Sequence, residues 1–90
     1  MRSIVTRTEK LLDQILRGNA DANIPFTGMV RLLLGLGFTE RIRGDHHIFV
    51  RVGVSEILNL QPRGNKCKPY QVKQIRHVIL TYKLAGEPDV

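Results

Sequence analysis

One cysteine, Cys67, is all that 90 residues contain. It has no partner for an internal disulfide and none for a thiolate metal centre, which suits a reducing compartment. No apolar run approaches the roughly 18–20 residues that a membrane span needs, and the N-terminus lacks the apolar core of a signal peptide. Internal repeats and low-complexity tracts are also missing. A soluble, cytoplasmic protein is expected. The length allows one small domain with little room for a second core, and a hydrophobic content of 42% is ordinary for a globular chain.

Acidic residues are scarce where basic ones are plentiful. Residues 41–83 hold nine Lys/Arg against two Asp/Glu, whereas residues 1–40 hold five against four. The net charge is +6 and the pI about 10.1. Positive charge gathered in one half points to a polyanion or an acidic protein as partner. The plainer alternative is a merely solvated surface.

Along the chain, the apolar residues Ile4, Leu11, Leu12 and Ile15 follow a helical stripe over Ser3–Arg17, and Gly18-Asn19 supplies a stop. Residues 18–25, GNADANIP, form a connector, so residues 1–25 make an arm that either folds back on the body or stays mobile. Thr27 is placed to cap a second helix, apolar nearly all round, that stops at Gly37. The period then changes to two. Phe38 and Ile42 alternate with Thr39, Arg41 and Arg43. His46, Ile48, Val50 and Val52 alternate with His47, Phe49 and Arg51. After Gly53, Leu58 and Leu60 alternate with Asn59 and Gln61, while Glu56 and Ile57 are out of phase and suggest a bulge. Three short strands with tight connections predict an antiparallel meander.

A basic loop, PRGNKCK, leads to Pro69 and a last helix with Val72, Ile75, Ile79 and Tyr82 on one stripe. The fold class is therefore α+β: α-β-β-β-α with a three-stranded antiparallel sheet and helices on one face, preceded by an extra N-terminal helix. Strand parity assigns His46 to the covered face. The open face then carries Arg41, Arg43, His47, Phe49 and Arg51.

Such a constellation suits cleavage of RNA. A base must take the ribose 2′-hydroxyl proton, an acid must assist the leaving oxygen, and positive charge must stabilise the phosphorane. Imidazole titrates near neutral pH. Arginines grip phosphates bidentately, and a phenyl ring offers a base a stacking platform. Because the 2′-hydroxyl is the nucleophile, no metal and no cofactor is required. The scheme depends on the His47 ring projecting from the uncovered face; packing beneath the helices, with His46 exposed instead, would remove it.

The helix ending LLLGLGF, then RIRGDHHIF, then NLQPRGNKCK, then PYQVKQIRHVI resemble the HicA family of toxins, over roughly residues 26–84. The most specific piece is Gly44–Phe49. The resemblance implies a fold like double-stranded-RNA-binding domains and metal-independent messenger-RNA cleavage within a type II toxin–antitoxin pair. It also implies catalysis by the second histidine of the pair, here His47, and a HicB-like antitoxin as protein partner. Two features depart from the family pattern. Asp45 stands where serine is usual, either as a turn residue or as an accessory group that orients an imidazole or repels a phosphate. The arm of residues 1–25 is also longer than the minimal domain and either extends the core or pairs subunits in a homodimer. Residues 85–90 form a short tail.

Lys66, Lys68 and Lys73 flank the start of the last helix, where that fold places phosphate-gripping lysines. His46 is expected at the core edge with its ring hydrogen-bonded, and His77 on a solvated helix face. Cys67, between two lysines, has the surroundings of a lowered pKa but no base or motif beside it. No pair among the histidines and Cys67 has zinc-ligand spacing. The rival to the nuclease is a non-catalytic RNA-binding module of the same fold. A weaker third possibility is a protein-interaction domain whose basic face meets an acidic partner.

Overall fold

The structure, a computed structural model, describes residues 6–86. Helix α1 spans Arg7–Arg17. It begins with a reciprocal cap: Thr6 Oγ1 accepts from the Glu9 amide at 3.1 Å, and the Glu9 carboxylate accepts from the Thr6 amide at 2.8 Å. The expected start at Ser3, with Ile4 on the stripe, lies outside the described residues. Gly18 ends the helix with φ +74°, a conformation glycine adopts without a Cβ clash.

The arm folds back. Leu11 and Ile15 join the same core as the sheet and the other helices. A short 3₁₀ turn, Asp21–Asn23, follows, and the guanidinium of Arg76 holds it bidentately, at 2.9 and 3.1 Å from the two Asp21 oxygens. The same guanidinium donates to the Ile15 carbonyl at 3.1 Å, adding a second donor to an acceptor that the Gly18 amide also reaches at the end of α1. One side chain on the last helix thus ties down both arm and connector.

Helix α2, Phe26–Gly35, starts two residues earlier than the sequence suggested, with Pro25 rather than Thr27 at the cap position. Pro25 cannot continue a helix backwards, and the Phe26 amide donates instead to the Asn65 carbonyl at 2.9 Å. Gly28 lets α1 come close: a Cβ there would sit 2.9 Å from Leu11 Cδ2. Gly37 turns the chain with φ +96°.

Strands β1 (Thr39–Arg43), β2 (His46–Arg51) and β3 (Val54–Leu60) form an antiparallel sheet in the order β1-β2-β3. Helix α3 runs Pro69–Thr81 with proline in its first turn. It buries Val72, Ile75, Val78 and Ile79. With α2 it covers one sheet face, giving the expected α+β order and layering. Among the described residues no helix is long and apolar enough to cross a membrane. The register slips between Phe49 and Arg51, opposite the out-of-phase start of β3.

The assignment of faces along β2 is the reverse of the one expected. Gly44 and Asp45 form a two-residue turn, so Arg43 pairs with His46 and Ile42 with His47. Directly opposed residues share a face. His46 therefore lies with Arg41 and Arg43 on the open side, and His47, Phe49 and Arg51 lie on the helix side. Phe49 is fully buried against Leu58 and Leu60, while Val50 is 39% exposed. Burying one phenyl ring removes more apolar surface from water than burying a single β-branched side chain, and the tight turn permits only one of the two choices.

Candidate functional site

His47, the second residue of β2, lies at the end of the sheet where the basic loop and the start of α2 converge. Its Nδ1 is 2.7 Å from Glu40 Oε2. Glu40 pairs with Phe49 across the sheet, which makes it the diagonal neighbour of His47 on the same face. Both side chains are about one-fifth exposed, at 21% and 18%. The ring meets Phe26, first residue of α2, edge-on with centroids 4.8 Å apart. A carboxylate accepts only, so Nδ1 carries the proton and Nε2 is the free nitrogen of the neutral ring. Nε2 has no partner among the described residues and is not among their buried unsatisfied atoms. An imidazole fixed by a carboxylate on one nitrogen and free on the other is the arrangement of an oriented general base.

His46 belongs to the other face. It is exposed rather than at the core edge, and its Nδ1 donates to Asn59 Oδ1 at 3.0 Å. Asp45 lies 3.8 Å from His46 Nε2 and accepts from the Gln61 amide at 2.8 Å. That amide bond, chiefly, holds the Asp45 carboxyl below the usual aspartate range. Gln61 Oε1 in turn accepts from Lys68 Nζ at 3.2 Å. Asp45 is thus tied to Gln61 and His46, and Glu40 is the carboxylate that orients His47.

Four expected site residues are placed elsewhere. Phe49 has 0% exposure and offers no surface on which a base can stack. Arg51 donates from Nε to the Leu36 carbonyl at 2.7 Å and so caps the end of α2. Arg41 and Arg43 are exposed but share the face of His46; the sheet separates them from His47. The expected open-face grip of arginines around His47 therefore does not exist. Among the lysines, Lys66 donates to Asn23 Oδ1 at 3.1 Å, and Lys73 is exposed on α3. Lys66 is also bridged through its backbone to Pro25, which fastens the basic loop beside the start of α2 and hence beside Phe26 and His47.

Cys67 is 2% exposed, and burial pushes its thiol up to about 11. The flanking lysines do not activate it. His77 is exposed on α3 beside Thr81. Among the described residues no three His, Cys, Asp or Glu side chains form a group able to hold a metal ion.

Glu40, the hydrogen-bond partner of His47, is not singled out by strand alternation alone. Its signal was present in the length of the turn, because two residues between strands fix the pairing and put positions 40 and 47 on one face. Comparison of the chain with family models, with curated proteins and with solved structures returns no match.

Proposed function

We propose that this chain is a metal-independent endoribonuclease that cleaves messenger RNA in the cytoplasm, the toxin of a type II toxin–antitoxin pair, with His47 as its general base. The open-face scheme expected from strand alternation falls with His47 on the helix side and His46 outside. What carries the proposal instead is the His47–Glu40 hydrogen bond, with Nε2 left without a partner among the described residues at a side chain about one-fifth exposed. The resemblance of Gly44–Phe49 to the HicA pattern supports it independently. Nε2 takes the proton of a ribose 2′-hydroxyl, and the oxygen attacks the adjacent phosphorus. The P–O5′ bond breaks to leave a 2′,3′-cyclic phosphate and a 5′-hydroxyl whose proton comes from solvent, while the Glu40 carboxylate stabilises the imidazolium that forms. The basic loop, through Lys66 and Lys68, supplies positive charge for the phosphate. His46 faces away and takes no part in the proton transfer.

The antitoxin is an acidic protein. Its docking surface is the open sheet face, which presents Arg41 and Arg43 on β1 and exposed Val50 and Ile57 on β2 and β3. Exposed apolar side chains beside arginines suit a protein interface.

One observation favours a second function, RNA binding without cleavage: the strongest arginine pair, Arg41 and Arg43, lies across the sheet from His47. Incubating labelled RNA with the pure protein in EDTA distinguishes the two. Cleavage that disappears in His47→Gln while binding persists supports the nuclease. Undiminished cleavage by His47→Gln rejects the catalytic assignment, and binding with no cleavage by the wild type selects the binding module.

A further inference from the structure

Away from His47, helices α1 and α2 enclose a cleft of about 370 Å³. Its lining includes Arg7, Lys10 and Arg31 with Thr8, Thr27 and Gly28, and no acidic side chain contributes to it. None of the three cations forms an ion pair among the described residues. Glu9, the acid nearest in sequence, is turned to the Thr6 amide as part of the cap. Three like charges around one concavity repel one another, and each gains from an anion placed between them. The first turn of α2 adds to this: it has neither a side-chain cap nor an acidic residue, and its one backbone cap is the Asn65 carbonyl on the Phe26 amide, so no negative charge offsets its positive dipole end.

The cleft and the candidate site share the first turn of α2. Phe26 packs on the His47 ring, while Thr27, Gly28 and Arg31 border the cleft. By helical spacing Thr27, Gly28 and Arg31 lie about 100–200° round α2 from Phe26, so a strand running from His47 to the cleft passes around the start of that helix. We infer that the α1–α2 cleft is a phosphate subsite for the RNA strand, making the N-terminal helix a substrate-binding element; this rests on the assignment of His47 to RNA. The arm carries just the residues such a role needs, because Arg7 and Lys10 come from α1 and no other element replaces them.

The probe is a short single-stranded oligoribonucleotide with 2′-O-methyl groups, which binds but has no nucleophile. Backbone amide shifts are followed by NMR as it is added to the full chain. The inference expects shifts at Thr27, Gly28 and Lys10 together with His47. The exposed triple variant Arg7→Ala/Lys10→Ala/Arg31→Ala should lose about two units from the slope of log affinity against log salt, at about 0.7 per phosphate contact. Against the wild type this is about a hundred-fold between 1 M and 0.1 M salt. Shifts at His47 and Lys66 with none in the cleft overturn the subsite and leave the proposed function standing. Shifts in the cleft alone support an anion site there and count against His47. No shift anywhere sinks both. The wild-type map decides even if the triple variant does not fold.

Discussion

Replacing Glu40 by Gln tests the site at its most specific joint. The amide is nearly isosteric with the carboxylate and can still accept from His47 Nδ1, so the ring keeps a partner while the charge is lost. The bond in question is short, 2.7 Å, and both groups are about four-fifths shielded, so solvent screening removes only part of its strength. Hydrogen bonds to charged groups contribute about 1.5–3 kcal/mol. That contribution matters most when the imidazole has taken up a proton in the transition state, and at 1.4 kcal/mol per decade it corresponds to a rate loss of about 10–150-fold. The assay is single-turnover cleavage of end-labelled RNA in EDTA. Affinity for a 2′-O-methyl strand is measured alongside, to separate chemistry from binding. The expected result is a slower chemical step with affinity unchanged or slightly improved, since a negative charge near the phosphate has gone. His46→Ala, on the opposite face, should cleave at the wild-type rate. A Glu40→Gln protein that cleaves at full speed, or a His46→Ala protein that does not cleave, refutes the geometry.

Three further outcomes follow from the packing. Phe49→Ala should cost about 3–5 kcal/mol in urea unfolding, whereas Val50→Ala should cost under about 1 kcal/mol because that side chain is already 39% exposed; similar costs for the two would overturn the assignment of faces. Arg76→Ala should destabilise the chain at pH 7 by about 2 kcal/mol, the order expected for breaking a largely shielded bidentate pair. The Asp21 carboxyl, hydrogen-bonded to Arg76, titrates below the ordinary value of 3.8. Its contribution is fully present above that value and is lost as pH falls through the lower folded one, so the gap between wild type and variant should narrow in acid unfolding below about pH 4. A gap that widens there would contradict the pairing. Cys67, buried and shifted to about 11, should resist iodoacetamide at pH 7.5 in the folded chain and react once denaturant is added; rapid labelling of native protein would place the thiol elsewhere.

Local pattern sufficed for the elements and failed where a choice depended on neighbours. Helix α3 was legible because Pro69 marks its start and Val72, Ile75 and Ile79 recur at helical spacing. Strands β1 and β3 were legible because one face of each was plainly the less polar. Strand β2 offered two credible faces, since His46, Ile48 and Val50 are as apolar a set as His47, Phe49 and Arg51. Alternation cannot rank them, because a shift of one residue exchanges every side chain between faces. The deciding facts were the burial of a phenyl ring and the pairing set by Gly44-Asp45. The Asp21–Arg76 clamp was not legible for a different reason: 55 residues separate the partners, and no local rule connects positions so far apart.

The reversal of β2 changes what the basic charge is for. With His47 on the open face, Arg41, Arg43 and Arg51 would all have served a single phosphate, and one surface would have had to bind both RNA and a protein inhibitor. In the fold as formed the cations divide into groups with separate surroundings. Arg51 closes α2, and Arg76 docks the arm. Arg41 and Arg43 remain on an uncovered sheet that also presents Val50 and Ile57, a combination suited to a folded acidic partner. Lys66 and Lys68 stand on the loop next to His47, and Arg7, Lys10 and Arg31 surround the cleft beyond it. A partner on the open face would then leave the His47 side uncovered, so inhibition by occupying that face alone has to act through the sheet. The division therefore predicts that Arg41→Glu/Arg43→Glu abolishes capture by the acidic partner while RNA cleavage in EDTA stays within about three-fold of wild type, a change of under ~1 kcal/mol. Loss of both together would mean that a single face carries both functions, and the separation of the two histidines would no longer explain the distribution of charge.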